Sequence, residues 1–233
     1  MNKNIFIVAL LVISLLSCSK KEGSMVVQGT IQGLQKGTLY LQKIQDTIIT
    51  SVDSIKLVGE SSFNLVDNIK EPELYFLTLS DKENEKINFF GEKGTITINS
   101  KLDKFATSAK ITGSKSHDLL QTYQEMADKF NGRRLEIIKE SFDAQNAKDD
   151  ELIEKLDKEF DRLVKNRYRY TASFSIKNSH SEVAPYIALT ELFDAHISLL
   201  DTVNNSLTNK IKASKYGKQL DEYIKEIKEK EVK

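Results

Sequence analysis

Lys86-Ile87-Asn88-Phe89-Phe90-Gly91-Glu92-Lys93-Gly94-Thr95-Ile96-Thr97-Ile98-Asn99 reads as two short strands flanking a turn from Gly91 to Gly94. β-branched and aromatic side chains alternate with polar ones there, the period of a half-buried strand, and glycines mark the bend. The same pattern runs upstream. Val26 to Ile31 and Thr38 to Gln42 are β-rich and are split by Gly33 and Gly37. Ile48 to Val58 alternates, Ser62 to Val66 follows, and Glu73-Leu74-Tyr75-Phe76-Leu77-Thr78-Leu79 is a strong strand after Pro72. Ala109 to Thr112 closes the set. Seven or eight short strands with glycine-bearing turns predict an antiparallel β-sandwich-like domain over residues 25–112.

From Ser114 onward the period becomes helical, and residues 113–231 read as a helical segment, so the fold class is α+β. Leu119, Leu120, Tyr123, Ala127, Phe130, Ile137, Ile138 and Phe142 form one apolar stripe. A turn at Ala144 to Lys148 breaks it, and Asp149 or Asp150 then stands where a carboxylate caps the next helix. A second stripe runs through Leu152, Ile153, Leu156, Phe160, Leu163, Val164 and Tyr168. The two stripes predict a long antiparallel helical hairpin. Asn178-Ser179-His180-Ser181 interrupts the pattern, and Pro185 lies near the start of a shorter helix through Leu192. Ile197 to Ile211 reads as a further helix with a break at Asn204-Asn205, and Tyr216 to Lys230 as a last one.

Ahead of the strands, Lys3, the apolar run Ile5 to Leu16, Ser17 and Cys18 form a bacterial lipoprotein signal. The run is shorter than the about 20 residues of a membrane-spanning helix, and it fits the core of an export signal. Leu15-Leu16-Ser17-Cys18 resembles a lipobox, which implies removal of residues 1–17 and lipidation of Cys18. Residues 18–24 are then a lipidated linker. More than one acyl chain holds a protein firmly to a bilayer. Ser19 is not an aspartate, the residue that resembles an inner-membrane retention signal, so the expected location is the outer membrane facing the periplasm, with surface exposure left open. With Cys18 given to lipid, no thiol remains for a disulfide, a redox pair, a nucleophile or a thiolate metal site. Basic and acidic residues balance at 34 each, so no overall field draws in nucleic acid.

The order Val27-Gln28-Gly29-Thr30-Ile31-Gln32-Gly33-Leu34, Gly37-Thr38-Leu39-Tyr40-Leu41, Ile49-Thr50-Ser51-Val52, Phe63-Asn64-Leu65, Pro72-Glu73-Leu74-Tyr75, Ile87 to Ile98 and Ile111-Thr112-Gly113-Ser114 resembles the Bacteroidota domain-of-unknown-function family 4369. Members of that family are often lipoproteins in which this domain precedes a helical segment and a thioredoxin-like domain of the TlpA and ResA type. The resemblance implies that thiol–disulfide chemistry resides in that last domain. This sequence has no Ala-Pro-x-Phe and no Cys-x-x-Cys before Lys233, so that chemistry is not carried over, and neither is any site residue.

The remaining side chains form no recognisable catalytic motif. His117, His180 and His196 have no second ligand at helical spacing, and exposed or capping roles are expected for them, with no metal. The carboxylates from Asp149 to Asp161 interleave with lysines, as in the pairs Glu151–Lys155 and Glu154–Lys158, and describe a solvated helix face. In Asn166-Arg167-Tyr168-Arg169-Tyr170 neighbouring side chains point about 100° apart on a helix, so they make no single basic patch. The expected function is a non-catalytic binding or scaffolding module, without cofactor, held to the membrane through Cys18. Its β domain would offer strand edges or loops to a protein or peptide. The alternatives are an accessory partner of a separate thioredoxin-like oxidoreductase and a hydrolase whose site is assembled in space.

Overall fold

The computed structural model describes residues 23–80 and 85–231. The expected export signal and Cys18 lie outside the described residues. Eight strands come first: β1 (Met25–Gln32), β2 (Lys36–Gln45), β3 (Ile48–Val58), β4 (Ser62–Asp67), β5 (Glu73–Leu79), β6 (Lys86–Gly91), β7 (Gly94–Lys101) and β8 (Lys110–Thr112). They form two sheets of four, ordered β4-β1-β7-β8 and β3-β2-β5-β6. The pairing is antiparallel except between β1 and β7, which run parallel. A parallel pair needs a long crossover, and here β2 to β6 supply it.

The strands on either side of Gly91 to Gly94 do not pair with each other. β6 pairs with β5 and β7 with β1, so this turn carries the chain from one sheet to the other. The reason is shared burial. Ile87 and Phe89 enter the space between the sheets from one side, and Ile96 and Ile98 enter it from the other. Met25, Val27, Leu39, Leu41, Leu65, Tyr75 and Leu77 complete that core. Alternation with period two sends every second residue of each strand inward. Gly29 faces Ile98 at the tightest point, where a Cβ would stand 1.8 Å from the Ile98 carbonyl oxygen. Only glycine lets β1 and β7 come together there.

The helical segment comprises α1 (Lys115–Ala147), α2 (Asp150–Lys177), α3 (Val183–Glu191), α4 (Ile197–Ser206), α5 (Asn209–Lys212) and α6 (Lys215–Glu231). α1 and α2 form the predicted hairpin. Lys148 turns the chain at φ 55°, and the Asp149 carboxylate accepts from Leu152 N–H at 3.0 Å, so Asp149 is the cap. Ile137, Ala144 and Leu156 pack the tip of the hairpin. The predicted break at Asn204-Asn205 is displaced. α4 continues to Ser206, and the chain turns at Leu207 and Thr208, where the Thr208 hydroxyl accepts from Ile211 N–H. Asn204 instead donates to Asp221 on α6 at 3.2 Å. Two asparagines read locally as a break, but one of them is engaged by a helix packed alongside.

Phe89 and Phe90 point to opposite faces of β6, and both are fully buried. Phe89 lies in the sandwich core, whereas Phe90 packs against Leu120, Tyr123, Val183, Ile187 and Tyr216 of the helical segment. The ring of Phe90 stands 5.4 Å from that of Tyr186 and 5.8 Å from that of Tyr216. The outer face of the second sheet is therefore the floor on which α1, α3 and α6 rest.

Candidate functional site

The two long sides of the sandwich differ. On the β3–β4 side, the Asp53 carboxylate accepts from Val66 N–H at 2.9 Å and ties one sheet to the other. On the opposite side the edges of β6 and β8 face each other, and among the described residues no hydrogen bond joins them. A cleft of about 370 Å³ lies between them. Its walls are Lys86, Ile87 and Asn88 of β6, Ala106 and Ala109 of the β7–β8 connection, Lys110 and Ile111 of β8, and His117, Gln121 and Gln124 of α1. The last three recur at helical spacing, which places them on one face of α1.

The start of α1 is fastened across the end of β6. Ser114 Oγ accepts from His117 N–H at 3.0 Å and donates to the Phe90 carbonyl at 2.7 Å. Glu92 accepts from Lys115 N–H at 2.7 Å and from the Ser116 hydroxyl at 2.6 Å, so a carboxylate of this chain occupies the positive end of the helix. The bond to Ser114 also fixes orientation: the Phe90 carbonyl faces away from β5. In an antiparallel pair, backbone groups alternate between partner and free edge. The N–H and C=O groups of Asn88 and Lys86 therefore face the cleft.

His117 is buried, against the expectation of an exposed or capping residue. Its position opposite two sheet edges covers it, which a single helix pattern does not reveal. Nδ1 is sealed in without a partner. Burial holds the imidazole below its ordinary value, against a smaller upward pull from Asp118. Its ring makes no hydrogen bond to Ser114 or Ser116, the relation that would activate a serine nucleophile. His180 lies exposed in a turn, and His196 caps α4 through Ser198 N–H. Among the described residues no three His, Cys, Asp or Glu side chains gather as a metal would require, and no helix is long and apolar enough to cross a membrane.

Two other clefts are satisfied from within. The outer face of the second sheet has a shallow hollow of about 440 Å³ lined by Tyr40, Gln42, Ser51 and Thr78. There Gln42 donates to Ser51 and accepts from Thr78, both at 3.1 Å. A groove of about 310 Å³ on the helical hairpin is lined by Phe130, Phe160, Tyr168, Arg134, Arg167 and Asp194. Arg167 is already paired with Glu191, and Arg169 turns away to Asn166, so the Asn166–Tyr170 stretch forms no basic patch. Along α2, Lys158 pairs with Glu154 as predicted, and Glu159 is taken by Arg133 of α1.

A buried ionic cluster, which no motif announces, fastens the sandwich to the helical segment. Lys43 Nζ donates to Asp67 at 2.8 Å, Glu73 at 3.0 Å and the Tyr75 hydroxyl at 3.2 Å. Tyr75 donates to Asp67 at 2.6 Å. Lys215, at the start of α6, donates from Nζ to Glu73 and to the Ile44 carbonyl, each at 2.7 Å. Every cation has a carboxylate, so the cluster reads as a clasp rather than a reaction centre. Burial pushes the Asp67 carboxyl up, but hydrogen bonds from Lys43 and Tyr75 outweigh this and hold it below its ordinary value. Burial likewise pulls the Lys43 ammonium down, and Asp67 and Glu73 more than reverse it.

These shifts set the pH dependence of stability. A lowered folded value means that the unfolded chain binds the proton more readily, so stability falls as pH drops. The loss is expected to begin below the ordinary histidine value of 6.5, through His117, and to deepen below the ordinary aspartate value of 3.8, through Asp67. The raised Lys43 acts oppositely, and its contribution fades above 10.5. Urea unfolding at pH 7.5 and 5.5 checks the first step. The difference between the two should shrink in His117→Gln, and an unchanged difference would assign it elsewhere.

No curated protein matches the sequence. A solved structure titled pT26-6p is similar at 11% identity, over 83% of this chain and 42% of its own, with a TM-score of 0.23. This chain thus spans less than half the length of that structure, and so distant a likeness carries no argument. Residues 25–120 match the family described as "Domain of unknown function (DUF4369)". The matched stretch contains both open edges, the Ser114 latch and His117. The match runs from β1 through the first turns of α1.

Proposed function

We propose that this protein is a lipid-anchored module of the cell envelope that binds another protein without catalysing a reaction, and that it binds in the cleft between β6 and β8. The observation that carries the proposal is the edge at Lys86 to Asn88, whose outward backbone groups have no strand partner among the described residues and lie beside a cleft lined with hydrogen-bonding side chains. An extended segment supplies the missing partner by adding a strand, with affinity from main-chain bonds and selectivity from alternate side chains. The anchor rests on Cys18 and the apolar run before it. The linker from Ser19 to Ser24 then leads directly into β1.

A photoreactive amino acid at Asn88, in native envelopes, tests the binding surface. A discrete cross-linked partner is expected from Asn88 and not from Lys158, which is exposed on the hairpin. Identical patterns from both positions, or none from Asn88, would overturn the assignment. Cys18→Ala tests the anchor: the protein should move from the membrane fraction to the soluble fraction with an unchanged thermal melt. Continued membrane attachment of that variant would contradict it.

A further inference from the structure

We infer that the segment received by the β6–β8 cleft is acidic and extended, adding to the β6 edge as a strand with its carboxylates held between Lys86 and Lys110. This rests on the cleft being the binding site and goes further by naming the chemistry of what enters it.

The charge of the walls is the first argument. Lys86 comes from one sheet edge and Lys110 from the other, and among the described residues no aspartate or glutamate lines the cleft. Among the described residues neither lysine is in an ion pair. The Lys86 ammonium lies over the Phe76 ring at 5.7 Å, a cation–π contact, and has no carboxylate partner among the described residues. The nearby Glu92 is committed to the backbone of α1. Two lysines on the walls of one cleft, neither with a carboxylate partner among the described residues, favour an anionic guest.

The backbone is the second. The Ser114 latch closes the β6 edge at Phe90, so the free part is confined to Lys86–Asn88, a length that suits a short strand and not a folded surface. Side chains of a strand alternate, so acidic residues two apart face the same way. Gln121 and Gln124, on the α1 wall, supply further hydrogen-bonding groups. The same lysines discourage the alternative guest. Lysine on a sheet edge repels another basic edge, so a second copy of this chain offering its own β6 is disfavoured.

The test uses the acetylated, amidated peptide Thr-Glu-Val-Glu-Val-Glu-Thr with the mature protein at low salt. Its comparators are the same peptide with lysine for glutamate and one N-methylated at alternate residues. The acidic peptide is expected to bind, to lose at least tenfold in affinity on Lys86→Gln/Lys110→Gln, and to slow amide exchange at Lys86 and Asn88. The lysine peptide is expected not to bind. Equal binding of the N-methylated peptide would overturn strand addition, and equal binding of the lysine peptide would overturn the charge argument. If no acidic peptide binds while the Asn88 cross-link captures a partner, the chemistry inferred here is wrong and the site stands. If neither occurs, both fall.

Discussion

Glu73→Ala is expected to destabilise the protein by about 3–5 kcal/mol, the usual cost of removing one partner from a buried ion pair. Glu73 is 8% exposed and bridges two lysines, Lys43 at 3.0 Å and Lys215 at 2.7 Å. After its removal Lys43 keeps Asp67, but Lys215 keeps no carboxylate among the described residues, only the Ile44 carbonyl and the face of the Tyr216 ring. The unpaired charge then favours release of α6 from the sheet. Urea unfolding of Glu73→Ala measures the cost. The double variant Glu73→Gln/Lys215→Met removes charge from both sides and should recover part of the loss, because contacting residues are not additive. A loss under 1 kcal/mol in Glu73→Ala would mean that the cluster is hydrated and contributes little.

Phe90→Ala is expected to cost a similar about 3–5 kcal/mol, from lost transfer energy and the cavity left behind, together with the ring pairs to Tyr186 and Tyr216. Its effect should be located differently from that of its neighbour. Phe90→Ala empties the contact between sheet and helices, whereas Phe89→Ala empties the sandwich core. Hydrogen exchange separates the two. In Phe90→Ala, protection should fall first in α3 and α6 while β1 and β7 stay protected. Uniform loss over both parts would show that sandwich and helices unfold as one unit.

The strands were legible because alternation is local. The predicted strand from Glu73 to Leu79 coincides with β5, and the one from Ile48 to Val58 coincides with β3. Asp149 was legible as a cap because a carboxylate at a helix start satisfies free N–H groups wherever it occurs. What escaped was long-range. The clasp joins Lys43 to Lys215 through Glu73, and no spacing rule connects residues so far apart. His117 looked like a surface residue because its cover comes from two sheet edges rather than from its own helix.

The order of elements and the two-part α+β organisation come from the sequence alone, since periodicity and turn residues are written in neighbouring positions, and the proposed lipid anchor at Cys18 rests on the sequence alone as well. The tertiary structure alone decided that Gly91 to Gly94 crosses between sheets, that β1 and β7 run parallel, and that of two adjacent phenylalanines one fills the sandwich and the other seats the helices. It also decided which edge stayed open. Whether a backbone N–H finds a partner depends on what distant chain arrives beside it, and at the outward groups of Lys86 and Asn88 no described residue does.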